Sequence, residues 1–289
     1  MLLQIATKHF SLYKTAVVAL LAQVVVLCVG LDKTIEGEEM GKTGEKWTGD
    51  KGDLLLPRAQ QLLLESVLAI NKPTVIINIT GSAIDLGIGN EKANAVIQAF
   101  YPGALGGQAV AELLLGKFSP SGRLPVTFYH NSDPLPDFAD YSMDGRTYKY
   151  FQGTPLYPFG FGLSYTTFEY HDLVLEPAHL GEGVRGRVMV KNTGTRDGEE
   201  VVQVYVSHQN ASVRTAKYQL VHFGRAFLKA GEEKTYSFVL PSRSLALIRD
   251  DGAFFFEPGK IAVFAGGSQP DERSLALLAP APAKAEFTW

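Results

Sequence analysis

Glu36, Glu38 and Glu39 crowd into the run Ile35-Glu36-Gly37-Glu38-Glu39. Close like charges raise one another's pKa. A carboxyl kept protonated near neutral pH can protonate a leaving oxygen and then, once ionised, activate water. General acid/base chemistry is one reading of the run, and a solvated acidic loop is the other. Its charge argues against a phosphate cradle, since a dinucleotide fold would put a G-x-G-x-x-G turn here, and Gly87-Ile88-Gly89 lacks the third glycine of that motif. The turn from Pro102 to Gly107 also has two readings: backbone amides aimed at a ligand from a helix N-terminus, or, more simply, a tight turn that needs positive φ. His9, His130, His171, His179, His208 and His222 show no ligand spacing, and no metal or cofactor is expected. The single cysteine, Cys28, permits no internal disulfide and reads as a small core residue. Of two glycosylation sequons, Asn78-Ile79-Thr80 falls in an expected buried strand and Asn210-Ala211-Ser212 in a loop.

The segments around the carboxyls alternate strand and helix. An apolar helix end, Ala16 to Ala22, precedes the β-branched run Val24 to Val29, which ends in Gly30 like a buried parallel strand. Lys8 and Lys14 ahead of this stretch also allow a signal-peptide core or a short anchor, but Gln23 interrupts it and its length falls short of a span. The glutamates then lie just past the C-terminal end of the first strand, where open parallel sheets place their ligands. Beyond the Gly-rich, charged loop from Leu31 to Asp53, Leu54-Leu55-Leu56-Pro57 leads into a helix with Leu62, Leu63, Leu64, Val67 and Leu68 inward, closed by Asn71-Lys72-Pro73. Thr74 to Ile79 and Ala95 to Phe100 read as strands, Gly107 opens another helix, and Arg123 to Tyr129 reads as a last strand. This grammar predicts an α/β fold with a parallel sheet covered on both faces.

From Tyr170 the period changes to two, over Val184–Lys191, Glu200–Ser207, Leu220–Leu228, Lys234–Leu240, Phe254–Glu257 and Lys260–Ala265. Turn signals between these runs predict an all-β antiparallel sandwich, and Ala279 to Ala283 reads as a loose tail. The expected organisation is an unassigned stretch 1–14, a partial parallel α/β sandwich 15–130, a connector 131–169, a β-sandwich 170–270 and a tail 271–289. A chain of 289 residues fits two such domains. Its 27 basic against 30 acidic residues, without a long like-charge run, argue against a nucleic-acid partner.

Read together, the segments resemble the C-terminal half of family 3 glycoside hydrolases, the β-glucosidase and β-xylosidase group. Val29-Gly30-Leu31-Asp32 with Ile35-Glu36-Gly37-Glu38-Glu39-Met40, Leu54-Leu55-Leu56-Pro57 with Gln60-Gln61, and Lys72-Pro73-Thr74-Val75 carry the resemblance. Phe100-Tyr101-Pro102-Gly103 with Gly106-Gly107-Gln108-Ala109, the run from Pro120 to Tyr129, and that from Tyr141 to Phe151 extend it. The strongest stretch runs from Pro155 to Phe168 through Pro158-Phe159-Gly160-Phe161-Gly162.

The resemblance implies an α/β domain followed by a fibronectin type III-like sandwich, and a β-linked glycoside as substrate. In that family a barrel domain comes first and supplies the nucleophilic aspartate, in a Ser-Asp-Trp type context. Here the only Ser-Asp pair, Ser132-Asp133, is followed by Pro134. The acid/base carries over to Glu38 first and Glu36 second. The motif's closing Asp-Arg appears as Asp50-Lys51, and lysine cannot reproduce a bidentate arginine contact. Glu-Gly-Glu-Glu-Met leans towards xylosidase-like members. The expectation is a C-terminal portion of a retaining, exo-acting β-glycosidase, from a truncated gene product or incomplete gene model, inactive without its nucleophile. A non-catalytic binding protein descended from such a hydrolase is the alternative, and a nucleotide-binding module is disfavoured by the acidic loop.

Overall fold

The computed structural model describes residues 12–36, 52–137, 139–176 and 178–289. They divide between two compact units, one of Met1–Leu114 and Phe128–Asp133, the other of Leu115–Thr127 and Pro134–Trp289.

The first unit runs α1 (Leu12–Leu21), β1 (Val25–Gly30), α2 (Arg58–Leu68), β2 (Thr74–Ile79), α3 (Ile88–Lys92), β3 (Ala95–Gln98) and α4 (Gly106–Leu114). Its three strands form a parallel sheet in the order β1-β2-β3. Val25, Leu27 and Val29 point from one face of β1 into a core shared with Ala19 of α1, with Ala22 just past its end, and with Leu63, Leu64 and Val67 of α2. Each buried aliphatic side chain contributes about 1.5–3 kcal/mol, so the apolar stripe of α2 fixes that helix on the sheet. Asn71 takes a left-handed φ of 59° just past α2, and the Pro73 carbonyl then accepts a 2.8 Å hydrogen bond from the Val25 amide. Cys28 corrects the core reading: strand alternation turns it away from Leu27, and it is half-buried on the opposite face. Burial raises its thiol pKa.

The second unit runs α5 (Thr147–Tyr150), β4 (Phe168–Leu175), β5 (Val184–Asn192), β6 (Gly198–Gln209), β7 (Gln219–Leu228), β8 (Glu233–Leu240), β9 (Leu247–Ile248), β10 (Phe254–Phe255), β11 (Lys260–Gly266), α6 (Glu272–Ala276) and β12 (Ala283–Thr288). An antiparallel sheet β4-β5-β8 and a second one, β12-β11-β6-β7, enclose one core. Val184, Val188 and Val190 of β5 meet Val202, Val204 and Val206 of β6 there, as period-two alternation requires.

The strand expected over Ala95 to Phe100 stops at Gln98, with Phe100 at a left-handed φ of 51°, and that expected over Phe254 to Glu257 covers only Phe254–Phe255. Three other segments depart further from the sequence reading. Arg123 to Tyr129 is not one strand. Pro125 has no amide for a ladder, Leu124 exchanges backbone bonds with Phe161 (2.9 Å) and Gly160 (2.8 Å), and Phe128 belongs to the first unit. Most of the connector is part of the β unit, fastened to the outer side of β6. There Gln203 Nε2 donates to the carbonyl oxygens of Gly160 (2.9 Å) and Gly267 (2.8 Å), and Phe159 stacks on Tyr148 with ring centroids 4.2 Å apart. Gly160 has φ 75°, and a Cβ there would sit 2.1 Å from Gln203 Oε1, so only glycine closes this contact. Nor is the tail loose. The alternation Ala283-Lys284-Ala285-Glu286-Phe287-Thr288 pairs antiparallel with β11, and Phe287 and Trp289 pack against the core.

Deleting residues 279–289 should therefore expose the edge of β11. The shortened chain is expected to melt at lower temperature and to self-associate in size-exclusion chromatography; an unchanged melt and elution would contradict a structural role for β12.

Candidate active site

The site is built at the C-terminal ends of the parallel strands. Gln60 clamps the end of β1: Gly30 N donates to Gln60 Oε1 (2.8 Å) and Gln60 Nε2 donates to Gly30 O (2.7 Å). Asp32 then turns the chain. Its Oδ1 accepts from the Thr34 amide at 2.8 Å, and its backbone carbonyl accepts from the amides of Ile35 and Glu36, each at 2.9 Å.

This turn delivers Glu36 to the neighbouring loops. Glu36 Oε2 accepts from the Gly81 amide at 2.8 Å and from the Tyr101 hydroxyl, while Oε1 accepts from the Ser82 amide at 2.6 Å. Gly81 and Ser82 follow β2 and Tyr101 follows β3, so the loops after all three strands meet on one carboxylate. A Cβ on Gly81 would lie 2.9 Å from the Tyr101 ring and 3.3 Å from Glu36 Oε2, so a side chain there would push the tyrosine off the carboxylate. Underneath, buried Asn78 donates to Gln98 Oε1 (2.6 Å), and Gln98 donates to the Thr80 carbonyl (3.1 Å).

Burial pushes the Glu36 carboxyl up, but hydrogen bonds from Ser82, Tyr101 and Gly81 outweigh it and hold the pKa below the usual carboxylate value. This reverses the direction expected from the crowding of the three glutamates. On the other side of the contact, burial and then Glu36 raise the pKa of Tyr101. Three donors thus favour the ionised form of Glu36, which suits an anchoring carboxylate better than a general acid. Glu38 and Glu39 lie outside the described residues, as do Asp50 and Lys51.

Because the folded pKa of Glu36 is lowered, its contribution is present above the ordinary value of about 4.3 and is lost as pH falls through the lower folded value. The Gly81 and Ser82 amide resonances are therefore expected to shift together in acid, with a midpoint below that of an ordinary glutamate. Tyr101→Phe should move this midpoint upward. Amides that stay still, or a midpoint at the ordinary value, would contradict the anchoring.

Asp133 is occupied locally, its Oδ2 accepting from the His130 amide at 2.8 Å. The turn after Tyr101 has Gly103 at φ 73°, and α4 begins at Gly106. Among the described residues no group of three His, Cys, Asp or Glu side chains could hold a metal ion, and no helix is long and apolar enough to cross a membrane. Sequence reasoning missed Gly81 and Ser82 altogether and met Tyr101 only as part of a motif.

A family model described as the glycosyl hydrolase family 3 C-terminal domain matches residues 9–165, and a fibronectin type III-like domain matches residues 200–269. The chain belongs to glycoside hydrolase family 3. Over 250 residues this family 3 chain is 40% identical to a xylan 1,4-β-xylosidase of Xylanibacter ruminicola, covering 86% of this chain and 29% of that enzyme. It is 34% identical over 246 residues to a periplasmic β-glucosidase of Salmonella typhimurium, covering 80% of this chain and 32% of that enzyme. The crystal structure of a Kluyveromyces marxianus β-glucosidase in complex with glucose aligns with a TM-score of 0.81 at 28% identity, over 96% of this chain and 33% of that one. The family 3 chain thus spans about a third of the length of these relatives.

Proposed function

We propose that the chain is the acid/base-supplying part of a retaining, exo-acting β-glycosidase that releases terminal β-D-xylosyl or β-D-glucosyl residues. Glu38 is the acid/base, and Glu36 is the positioning residue that pins its loop. The observation that carries this reading is the convergence of all three strand-end loops on Glu36. That carboxylate accepts three hydrogen bonds that hold its pKa down, which supports assigning proton transfer to Glu38, two positions further on.

Glu38 would give its proton to the glycosidic oxygen while an aspartate attacks the anomeric carbon and forms a glycosyl-enzyme. The Glu38 carboxylate would then take a proton from the water that releases the sugar. The two carboxyls must lie about 5–5.5 Å apart on either side of the bond. No Ser-Asp-Trp context for the nucleophile occurs among the 289 residues, so we read the chain as inactive by itself. The 40% identity to a xylan 1,4-β-xylosidase favours xylosides over glucosides. The test is a chimera in which this chain replaces the matched portion of that enzyme. Xyloside hydrolysis that depends on Glu38 supports the reading, and hydrolysis unchanged by Glu38→Gln overturns it.

A further inference from the structure

The outward face of the β4-β5-β8 sheet holds a groove of about 370 Å³, lined by Val174, Glu176, Arg185, Arg187, Ser237 and Val239 among others. Arg185 and Arg187 are exposed on one side of β5, while Val184, Gly186 and Val188 turn inward. Two residues along a strand place the arginines about 7 Å apart. Arg187 stands in register with Val174 of β4 and Ser237 of β8, and Arg185 with Val239.

These guanidinium groups are unlike the others in the chain. Arg58, Arg123, Arg214 and Arg225 pair with carboxylates. Arg146, Arg196 and Arg273 donate to backbone carbonyls, and Arg243 and Arg249 lie over phenylalanine rings. Arg185 and Arg187 have no such partner among the described residues. Two adjacent, unsatisfied forks on a rigid strand match a planar oxyanion, which each can hold through two N–H groups.

We propose that this groove binds the carboxylate of a uronic acid, and that the glycan served by the chain is a uronate-bearing β-linked oligosaccharide. The sugar class rests on the glycosidase reading above; the anion rests on the groove. Glu176 lies at the Arg185 end, its amide donating to the Arg185 carbonyl at 2.9 Å, so the groove favours a single carboxylate seated at Arg187. A lone acid within a neutral chain is the pattern of a uronate-substituted glycan, whereas an acidic peptide brings several charges. Exposed Val174 and Val239 offer apolar walls to the C–H faces of a pyranose, and the Ser237 hydroxyl can meet a sugar hydroxyl.

Calorimetric titration of the whole chain with a xylo-oligosaccharide carrying one glucuronic acid branch, beside the neutral oligosaccharide of equal length, tests this. The acidic sugar should bind roughly tenfold more tightly. Arg187→Gln should abolish the preference, and Arg187→Lys, which keeps the charge but loses the fork, should weaken it; both sites are exposed, and thermal melts will confirm folding. Equal affinity for the two sugars, binding of neither, a preference that survives the double change Arg185→Gln/Arg187→Gln, or equally tight binding of an oligoglutamate peptide would each overturn it. The readout is binding, so an inactive Glu38 would sink the acid/base reading without touching this result, and equal binding would do the reverse.

Discussion

Glu38→Gln in the chimera with the Xylanibacter ruminicola xylosidase is expected to lower turnover of a xylo-oligosaccharide by about 10²–10⁴-fold. A sugar leaving group departs as a strongly basic alkoxide unless it is protonated, so it depends on the acid. An aryl xyloside with an acidic phenol needs little protonation, and its first step should fall far less, leaving the release of the glycosyl-enzyme as the slowed step. Glu36→Gln should behave differently. Its carboxylate accepts from two amides and a tyrosine hydroxyl, and an amide side chain cannot satisfy all three donors with the same charge. Loosening that contact misplaces the loop for every substrate, so both substrate types should lose rate by the same factor. If leaving-group dependence appears in Glu36→Gln and not in Glu38→Gln, the two roles are exchanged.

Arg123→Met should destabilise the β unit by about 3–5 kcal/mol, because it strips the partner from a wholly buried charge. Arg123 Nη2 lies 2.7 Å from Glu200 Oε2, with the side chains 8% and 0% exposed. Tyr170 donates to Glu200 Oε1 at 2.8 Å, and Arg123 Nε donates to the Gly267 carbonyl at 3.0 Å. Burial pushes the Glu200 carboxyl up, and Arg123 is the foremost influence opposing it. A glutamate whose folded pKa is raised binds its proton more tightly in the fold. Its stabilising influence is therefore present in acid and declines as pH rises from about 4.3 through the folded value. Losing Arg123 widens that window, so the deficit of the variant should shrink in acid and grow towards neutrality. Urea unfolding across pH measures both effects. The double variant Arg123→Met/Glu200→Gln should recover most of the loss, since no charge is left buried. A single-variant loss below about 1 kcal/mol would place Glu200 in a wetter site than its burial indicates.

Strands and helices with strong periodicity were legible in the sequence. Val25–Gly30 and Thr74–Ile79 are β-branched runs, and α2 repeats leucine and valine on one face. What could not be read depended on distant partners. β12 is a strand because β11 offers an edge to pair with, while the Ala-Pro repeat before it reads as linker. Arg123 to Tyr129 has the composition of a strand, yet Pro125 and the pull of Phe161 on Leu124 divide it. At the candidate site, the glutamate run marked the right loop, since it follows a buried strand. The partners that fix the state of Glu36 come from 45, 46 and 65 residues away. Crowding of like charges was visible locally and pointed to a raised pKa; the donors that lower it were supplied by the fold.

The proposal that these residues carry the acid/base half of a two-carboxylate reaction is tested by hydrolysis of aryl β-xyloside and aryl β-glucoside by the purified, folded chain, beside the double variant Glu36→Gln/Glu38→Gln. No turnover above that of the variant is expected from the chain alone. Turnover that disappears in the variant would show that a nucleophile resides within these 289 residues or on a second copy, and would contradict the assignment of half a reaction to this chain.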